Sequence, residues 1–258
     1  MSRDSTTRVL SVAFLLCLVC SILVSAAAVG LSERQERNKI EEKRKNILQA
    51  AGLYDAGQSV EAQFSKIQPR IVDLQTGLFS AEIDPASFDS RAAAREPATR
   101  YLIPAERDLA AIKSRSRYME AYLVMADGQL QQLILPVYGK GLWSTMYGFI
   151  ALADDFSTVN GFAFYEHGET PGLGGEIDNS SWKKQWPGKK IYDDSGTLRI
   201  DVLKGMVDRD SADAIYQADG LAGATLTARG VGNLLKYWLG EDGYKPFLSR
   251  LKTEGVKP

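Results

Sequence analysis

The sequence is poor in residues that bind metals or transfer protons. Its 258 residues include two cysteines, Cys17 and Cys20, and one histidine, His167. Both cysteines lie in an apolar segment near the N-terminus, so the polar part of the chain can form no disulfide and offers no cysteine ligand. Zinc sites need several cysteine or histidine ligands, and acid–base catalysis most often uses histidine. We therefore expect no metal site and no catalytic residue.

A strong excess of either charge is also absent. Lys and Arg number 31 and Asp and Glu number 32, which gives a formal net charge of −1 at pH 7. Binding to nucleic acid depends on clustered positive charge that neutralises phosphates. The balanced composition predicts that nucleic acid is not a partner.

What the chain does have is an apolar run at residues 9–31, "VLSVAFLLCLVCSILVSAAAVGL", without a charge or a proline. A helix of this length spans the roughly 30 Å hydrocarbon core of a bilayer. A cleaved signal peptide is the alternative, because "SAAAVG" is similar to a cleavage site, but its apolar region is only roughly 7–15 residues long. We predict a retained transmembrane anchor. Basic residues stand on both sides of the run, so charge leaves its orientation open.

The segment after the anchor predicts helices and irregular structure. Residues 33–53 are highly charged and are typical of a solvated helix. Residues 81–104 are rich in alanine, proline and polar residues and predict an irregular connection. Residues 105–114 predict a further helix.

The next segment is typical of a sheet. Residues 118–126 ("YMEAYLVMA") and 129–138 ("QLQQLILPVY") flank Asp127-Gly128, a strong hairpin signal. A second predicted hairpin joins "YGFIALA" to "GFAFYE" through a turn that contains Asn160-Gly161. The segment "TLRIDVLKG" predicts a later strand.

Apolar residues at helical spacing predict a helix over residues 227–239. Successive hairpins give a mainly antiparallel sheet, and this helix would cover one of its faces. The predicted fold class is α+β, an N-terminal transmembrane helix followed by a domain with a mainly antiparallel sheet packed by helices. The absence of βαβ alternation excludes a Rossmann domain and a TIM barrel.

The stretch "DGLAGATLTARG", residues 219–230, places very small residues where this helix begins. A helix N-terminus offers unpaired N–H groups and partial positive charge, which suit a phosphate. Gly223 and Ala224 leave room for a bulky group, and Thr225 offers a hydroxyl beside it. Thr227 fits an ordinary N-cap, which leaves Thr225 without a structural role.

A second informative stretch, "EHGETPGLGGE", spans residues 166–176. It has four glycines within residues 168–175, which allow the backbone to approach a ligand. A long surface loop is the alternative interpretation. A dinucleotide-binding fingerprint is excluded, because the glycine spacing is wrong and no helix pattern follows. Trp143 and Tyr147 could supply aromatic surface beside this loop.

Several of these stretches resemble the sequences of known protein families. "DGLAGAT" is similar to the motif of the FMN-binding domain family, in which a flavin transferase joins the FMN phosphate to the last threonine. "SILVSAAAVGL", "LPVYGKGLWSTMYGF", "YEHGETPGLGGE" and "YWLG" occur in the same order as in the C-subunit family of sodium-translocating NADH:quinone reductases. The resemblance covers nearly the whole chain.

The resemblance implies a function. FMN, bound covalently to Thr225, would relay electrons between an iron–sulfur centre and another covalent flavin in a membrane complex that pumps sodium and reduces ubiquinone. Its partners would be the A, B, D, E and F subunits and the flavin transferase. It would be a subunit of an enzyme, without turnover of its own. The G subunit of the ferredoxin-dependent Rnf complex and an unflavinylated, membrane-anchored scaffold are the alternatives.

The resemblance also implies a location, namely a single pass through the bacterial inner membrane with the large domain in the periplasm. We expect a cytoplasmic segment at 1–8, the anchor at 9–31, a helical and irregular part of the soluble domain at 32–115, and the FMN-binding domain at 116–258. Lys204 is the candidate for a positive charge near the flavin. The candidate FMN-site residues are Trp143, Glu169, Thr170, Gly172, Leu173, Gly174, Lys204, Gly223, Ala224, Thr225, Leu226 and Thr227.

Overall fold

The computed structural model describes residues 6–255, so most of the predicted cytoplasmic segment 1–8 lies outside the described residues. The chain divides into two compact units between Arg44 and Lys45. Helix α1 runs from Thr6 to Ala50. Among the described residues it is the one helix long and apolar enough to cross a membrane, and its apolar run is exposed. The predicted apolar helix is confirmed.

The second unit is built on a six-stranded sheet with helices on both faces. Its strands in spatial order are β2-β1-β5-β6-β7-β8, and every neighbouring pair is antiparallel. This arrangement confirms the predicted α+β class with a mainly antiparallel sheet. The strands are β1 Ile67–Asp73, β2 Leu78–Ser80, β3 Arg100–Leu102, β4 Ser114–Ser116, β5 Tyr118–Ala126, β6 Gln129–Lys140, β7 Thr145–Ala153, β8 Val159–Glu166, β9 Asp201–Val202 and β10 Gln217–Ala218.

Helices and short pairs of strands complete this unit. β3 pairs with β4, and β9 pairs in parallel with β10. The remaining helices are α2 Val60–Phe64, α3 Ser90–Ala93, α4 Ser180–Lys183, α5 Thr225–Trp238 and α6 Lys245–Glu254, with 3-10 helices at Gly174–Asp178 and Ala212–Tyr216.

Apolar side chains cover both faces of the sheet. On β6, Leu133 and Leu135 belong to the larger cluster, which includes α5 and α6, whereas Ile134 belongs to a smaller one with the end of α1. This division follows from the alternation of side chains along a strand. The Trp238 indole N–H of α5 also donates to the Tyr138 carbonyl at 2.6 Å. Because α5 is fixed on the sheet, its first turn has a defined position.

The hairpin predicted at Asp127-Gly128 is confirmed. Both residues have positive φ, 51° and 76°, as a two-residue turn of the type I′ class requires. The second predicted turn is wrong. Asn160 and Gly161 lie inside β8, at a register shift opposite Ala151, and a side chain at Gly161 would overlap the Ala50 carbonyl. The glycine therefore marks a bulge and a close backbone approach.

The true turn between β7 and β8 depends on Asp155. Its carboxylate accepts hydrogen bonds from the backbone N–H groups of Ser157 and Thr158, at 2.9 and 2.7 Å. Phe156, which lies between Asp155 and Ser157, has a φ of 55°. An aspartate side chain that binds the backbone two residues on is a common turn signal.

The helix predicted over residues 105–114 is also wrong. The Asp108 carboxylate accepts hydrogen bonds from the Ile112 and Lys113 N–H groups, and Ala111 and Lys113 have φ of 53° and 64°. A side chain that binds nearby backbone competes with the helix. The segment is therefore a loop that leads into β4.

Four strands, β1 to β4, begin where helical and irregular structure was predicted, within residues 32–115. β1 pairs along its full length with β5, and β2 pairs only with the end of β1. Pro69 is consequently on an open edge, where the missing N–H costs nothing. The later strand predicted in "TLRIDVLKG" is only β9, outside the main sheet.

Candidate functional site

The first turn of α5 contains one half-buried threonine and one fully buried threonine. The helix begins at Thr225, its N-cap is Ala224, and no side chain caps it. The role predicted for Thr227 as the N-cap is therefore wrong. Thr227 is fully buried, Thr225 is half-buried and Leu226 is exposed. The Thr225 hydroxyl makes no hydrogen bond to any residue within 6–255.

The amides of this turn are also open. The first helical hydrogen bond runs from the Ala228 N–H to the Ala224 carbonyl, at 3.0 Å. The N–H groups of Thr225, Leu226 and Thr227 therefore have no acceptor inside the helix. These amides and the helix dipole give the turn a partial positive charge beside the Thr225 hydroxyl.

The turn before α5 is fixed through Asp219. Its carboxylate accepts a hydrogen bond from the Val207 N–H at 2.7 Å and pairs with Arg209. Its own N–H donates to the Gln185 side chain at 2.6 Å, and its carbonyl accepts from the Trp182 indole at 2.9 Å. Asp219 thus joins the turn to the end of α4 and to the loop that contains Val207 and Arg209.

Glycines shape the rest of this turn. Gly223 has a φ of 71°, which a residue with a side chain rarely adopts, and a Cβ there would lie 3.1 Å from Leu173. A Cβ at Gly220 would overlap the backbone of Leu203 and Lys204. The exposed Lys204 therefore contacts the turn through its backbone. The turn could not follow this path with bulkier residues.

The glycine-rich loop, residues 166–176, is folded back on itself. The Thr170 carbonyl accepts hydrogen bonds from the Leu173 and Gly175 N–H groups, at 3.1 and 2.9 Å. The His167 ring lies 2.7 Å from the Asp178 carboxylate. The histidine therefore supports the end of the loop.

A buried carboxylate joins this loop to two other segments. Glu169 is 5% exposed. It accepts hydrogen bonds from the N–H groups of Leu142, Trp143 and Ser144, at 3.2, 3.0 and 3.3 Å, and from the Thr227 hydroxyl at 2.6 Å. We call these five residues the Glu169 cluster.

The cluster is closely packed and charged. A Cβ at Gly174 would lie 2.5 Å from the Thr227 hydroxyl, and one at Gly141 would lie 2.5 Å from a Glu169 oxygen. Burial by itself raises the pKa of the Glu169 carboxyl, but the hydrogen bonds from Thr227 and the three amides lower it below its usual value. The carboxylate is therefore ionised at neutral pH.

Four exposed apolar side chains belong to these same segments. Leu142 and Trp143 are two of the amide donors to Glu169, Leu173 lies beside Gly223, and Leu226 is in the first turn of α5. Trp143 is 66% exposed. Exposed large apolar side chains that share a small region typically mark a ligand or interaction site.

The structure thus brings together most of the predicted site residues. Trp143, Glu169 and Thr227 meet in the Glu169 cluster, Gly174 packs against it, and Leu173 lies beside Gly223. The fold places Gly172, with a φ of 75°, at an exposed turn of the loop. Sequence reasoning missed Leu142, Ser144 and Asp219, whose roles depend on contacts between distant segments.

Comparisons with known proteins give this region a family. Residues 141–240 match the FMN-binding domain family. The chain is 52% identical over 255 residues to the C subunit of the Na(+)-translocating NADH-quinone reductase of Pseudomonas aeruginosa, covering 97% of this chain and 98% of that protein. The C subunit from Neisseria meningitidis serogroup B is 44% identical, with 99% and 98% covered. The chain belongs to the C-subunit family of these reductases.

Solved structures agree with this family. The crystal structure of Shewanella oneidensis NqrC is 34% identical, with a TM-score of 0.76, and covers 86% of this chain and all of that one. The corresponding C subunit from Parabacteroides distasonis is 27% identical, with a TM-score of 0.66 and coverage of 85% and 97%. As a member of the family, the protein is an FMN-binding membrane subunit of the reductase and works with its other subunits.

The site fits FMN chemically. Open amides and the helix dipole at Thr225 suit the phosphate, and the exposed apolar side chains suit a flat aromatic ring. The whole Glu169 cluster lies inside the matched residues 141–240. The part of the chain that the structure describes contains no group of three or more His, Cys, Asp or Glu residues that could hold a metal ion.

Proposed function

We propose that Thr225 carries FMN through a phosphoester bond and that the subunit relays electrons within its complex. The observation that supports this assignment is the contrast between two threonines. The Thr225 hydroxyl is accessible and makes no hydrogen bond within the described residues, whereas the Thr227 hydroxyl is buried and donates to Glu169. A phosphate can approach only the first of them.

The contact between Glu169 and Thr227 favours Thr227 on chemical grounds. A carboxylate that accepts a hydrogen bond from a hydroxyl is arranged as a general base, and Glu169 has this relation to Thr227. Access supports Thr225 instead, because Thr227 is 0% exposed and Gly174 is packed against its hydroxyl. In the proposed reaction the Thr225 oxygen forms the new bond to phosphorus, the leaving group of an activated FMN donor departs, and the hydroxyl proton passes to the transferase or solvent.

The test of this assignment compares two variants of the full-length chain, expressed with its flavin transferase. Thr225→Ala should abolish in-gel flavin fluorescence of the denatured protein. Thr227→Ser, which keeps the hydroxyl bonded to Glu169, should retain it. Fluorescence that persists in Thr225→Ala would contradict the assignment.

Bound FMN can accept and donate single electrons, which suits a relay between an iron–sulfur centre and the covalent flavin of the B subunit. We propose that this chain contributes binding and positioning, with the A, B, D, E and F subunits as partners. Its one histidine is bonded to Asp178, and no dinucleotide fingerprint is present. The purified chain should therefore oxidise no NADH with quinone.

We propose that residues 9–31 anchor the chain in the inner membrane with the large domain in the periplasm. A phosphoester suits a compartment in which free FMN would be lost. The test uses the exposed Asp194. A membrane-impermeant maleimide should label Asp194→Cys in intact spheroplasts, with the unsubstituted chain as the control for Cys17 and Cys20. Labelling only after lysis would contradict the orientation.

A further inference from the structure

The Glu169 cluster joins three segments that are far apart in the chain. Glu169 belongs to the glycine-rich loop, its amide donors to the turn between β6 and β7, and Thr227 to the first turn of α5. Thr227 is two residues from Thr225 and one from Leu226. Each of the three segments also carries an exposed apolar side chain, Trp143, Leu173 or Leu226.

Glu169 cannot reach a ligand on that surface. It is 5% exposed, and four donors occupy its two oxygens: Oε1 accepts from Trp143 and Ser144, and Oε2 accepts from Leu142 and Thr227. A neutral side chain would satisfy this site less well, because an amide presents only one acceptor oxygen. The four hydrogen bonds thus suit an ionised carboxylate, which accepts them from protein groups and not from a ligand.

Two glycines, Gly141 and Gly174, leave the space that the buried Glu169 side chain occupies. A Cβ atom added at either glycine would lie within 3 Å of a Glu169 oxygen. The two loops can therefore approach the carboxylate only where the chain has glycine. This close local packing thus depends on the residue types at four positions, Gly141, Glu169, Gly174 and Thr227.

We propose that Glu169 is a positioning residue for the flavin: through Thr227 and the three amides it fixes the turn at residues 142–144, the glycine-rich loop and the first turn of α5 as one surface. It acts without contact to the cofactor. Sites of this kind need supporting hydrogen bonds, because a loosely held surface changes the environment of the bound group. The inference rests on the proposed attachment at Thr225 for its flavin readout.

The variant that tests this proposal is Thr227→Val, because it removes the hydroxyl and keeps the charge of Glu169. Thr227→Ser is its matched control. Both are prepared as the full-length chain in detergent with flavin attached, together with Glu169→Gln and the double variant. The readouts are hydrogen exchange over residues 139–147 and 168–178, and the midpoint potential of the flavin.

In Thr227→Val we expect exchange in both segments to accelerate on the order of tenfold, while exchange in β5 stays unchanged. The midpoint potential should shift, and Thr227→Ser should match the wild type in both readouts. Since Glu169 and Thr227 act through one contact, the double variant should exchange no faster than Glu169→Gln.

Unchanged exchange, an unchanged potential in Thr227→Val, or additive effects in the double variant would each overturn the proposal. Exchange is measured without reference to the flavin. If the wild-type chain carried no flavin on Thr225, the proposed attachment would fail, and the exchange comparison would still decide whether Glu169 joins the three segments.

Discussion

Thr227 and Glu169 are 58 residues apart in the chain, and the Thr227 hydroxyl donates a 2.6 Å hydrogen bond to the Glu169 carboxylate. This contact removes Thr227 from the surface and leaves Thr225 as the accessible threonine at the start of α5. It also joins the glycine-rich loop to the helix. The Thr225 assignment and the positioning role of Glu169 both depend on this contact.

The first prediction concerns the charge of Glu169. Its folded pKa is lowered, so its contribution to stability is present above the unfolded value, roughly 4.3, and is lost as the pH falls through the folded pKa. Glu169→Gln should reduce the free energy of unfolding at neutral pH by about 1.5–3 kcal/mol. Unfolding of the full-length chain in detergent, followed from neutral to acid pH, measures this difference. The difference in the free energy of unfolding between the wild type and Glu169→Gln should become smaller in acid. A difference that does not depend on pH would contradict the prediction.

The second prediction concerns the turn before α5. Gly223→Ala should cost roughly 1–2 kcal/mol of stability, because φ there is 71°. It should also lower flavin content, since the new Cβ lies close to Leu173. Gly188→Ala is the control, with a φ of 84° and no atom within 4 Å of its Cβ.

Both glycine variants should lose similar stability in thermal unfolding, and only Gly223→Ala should lose in-gel flavin fluorescence relative to protein stain. Equal flavin content in the two variants would mean that the shape of this turn does not matter for attachment.

The third prediction concerns Asp219. Asp219→Ala removes the acceptor of the Val207 N–H and the partner of Arg209, so the turn loses its connection to that loop. Stability should fall by about 1–3 kcal/mol, and flavin attachment should decrease with it. The exposed neighbour Asp208, replaced by alanine, is the control. Flavin content measured by in-gel fluorescence should be unchanged in that control, and a decrease common to both would contradict the specific role.

The fourth prediction concerns Lys204, whose backbone contacts Gly220 and whose side chain is exposed. A nearby positive charge stabilises the reduced, anionic flavin, so Lys204→Ala should lower the midpoint potential. Lys252→Ala, at an exposed position on α6, is the control. A redox titration that gives the wild-type potential for Lys204→Ala would remove Lys204 from the site.

Local sequence signals predicted the parts of the fold that depend on local structure. β5 has the predicted bounds, residues 118–126, and Asp127-Gly128 forms the predicted turn. A strand at β1 was not predicted, and its Pro69 fits a strand only because the short β2 leaves that position on an edge. Position in the sheet is a tertiary property that the local pattern does not contain.

The same limit applies to the candidate site, where only features that depend on nearby residues could be predicted. Open helix amides and small residues single out Thr225 as the candidate attachment site, because both signals lie within a few residues of it. The burial of Thr227 could not be predicted, since it depends on Glu169, 58 residues away. Glu169 and Thr227 were both predicted as flavin-site residues, but their contact with each other could be seen only in the fold.

The central claim is that FMN is attached to Thr225. Trypsin should release residues 210–229, which contain both Thr225 and Thr227 as the only threonines. Mass spectrometry of this peptide from the full-length chain should find the added mass of FMN less one water, and fragment ions should place it on Thr225. An unmodified peptide, or fragment ions that place the flavin on Thr227, would contradict the account.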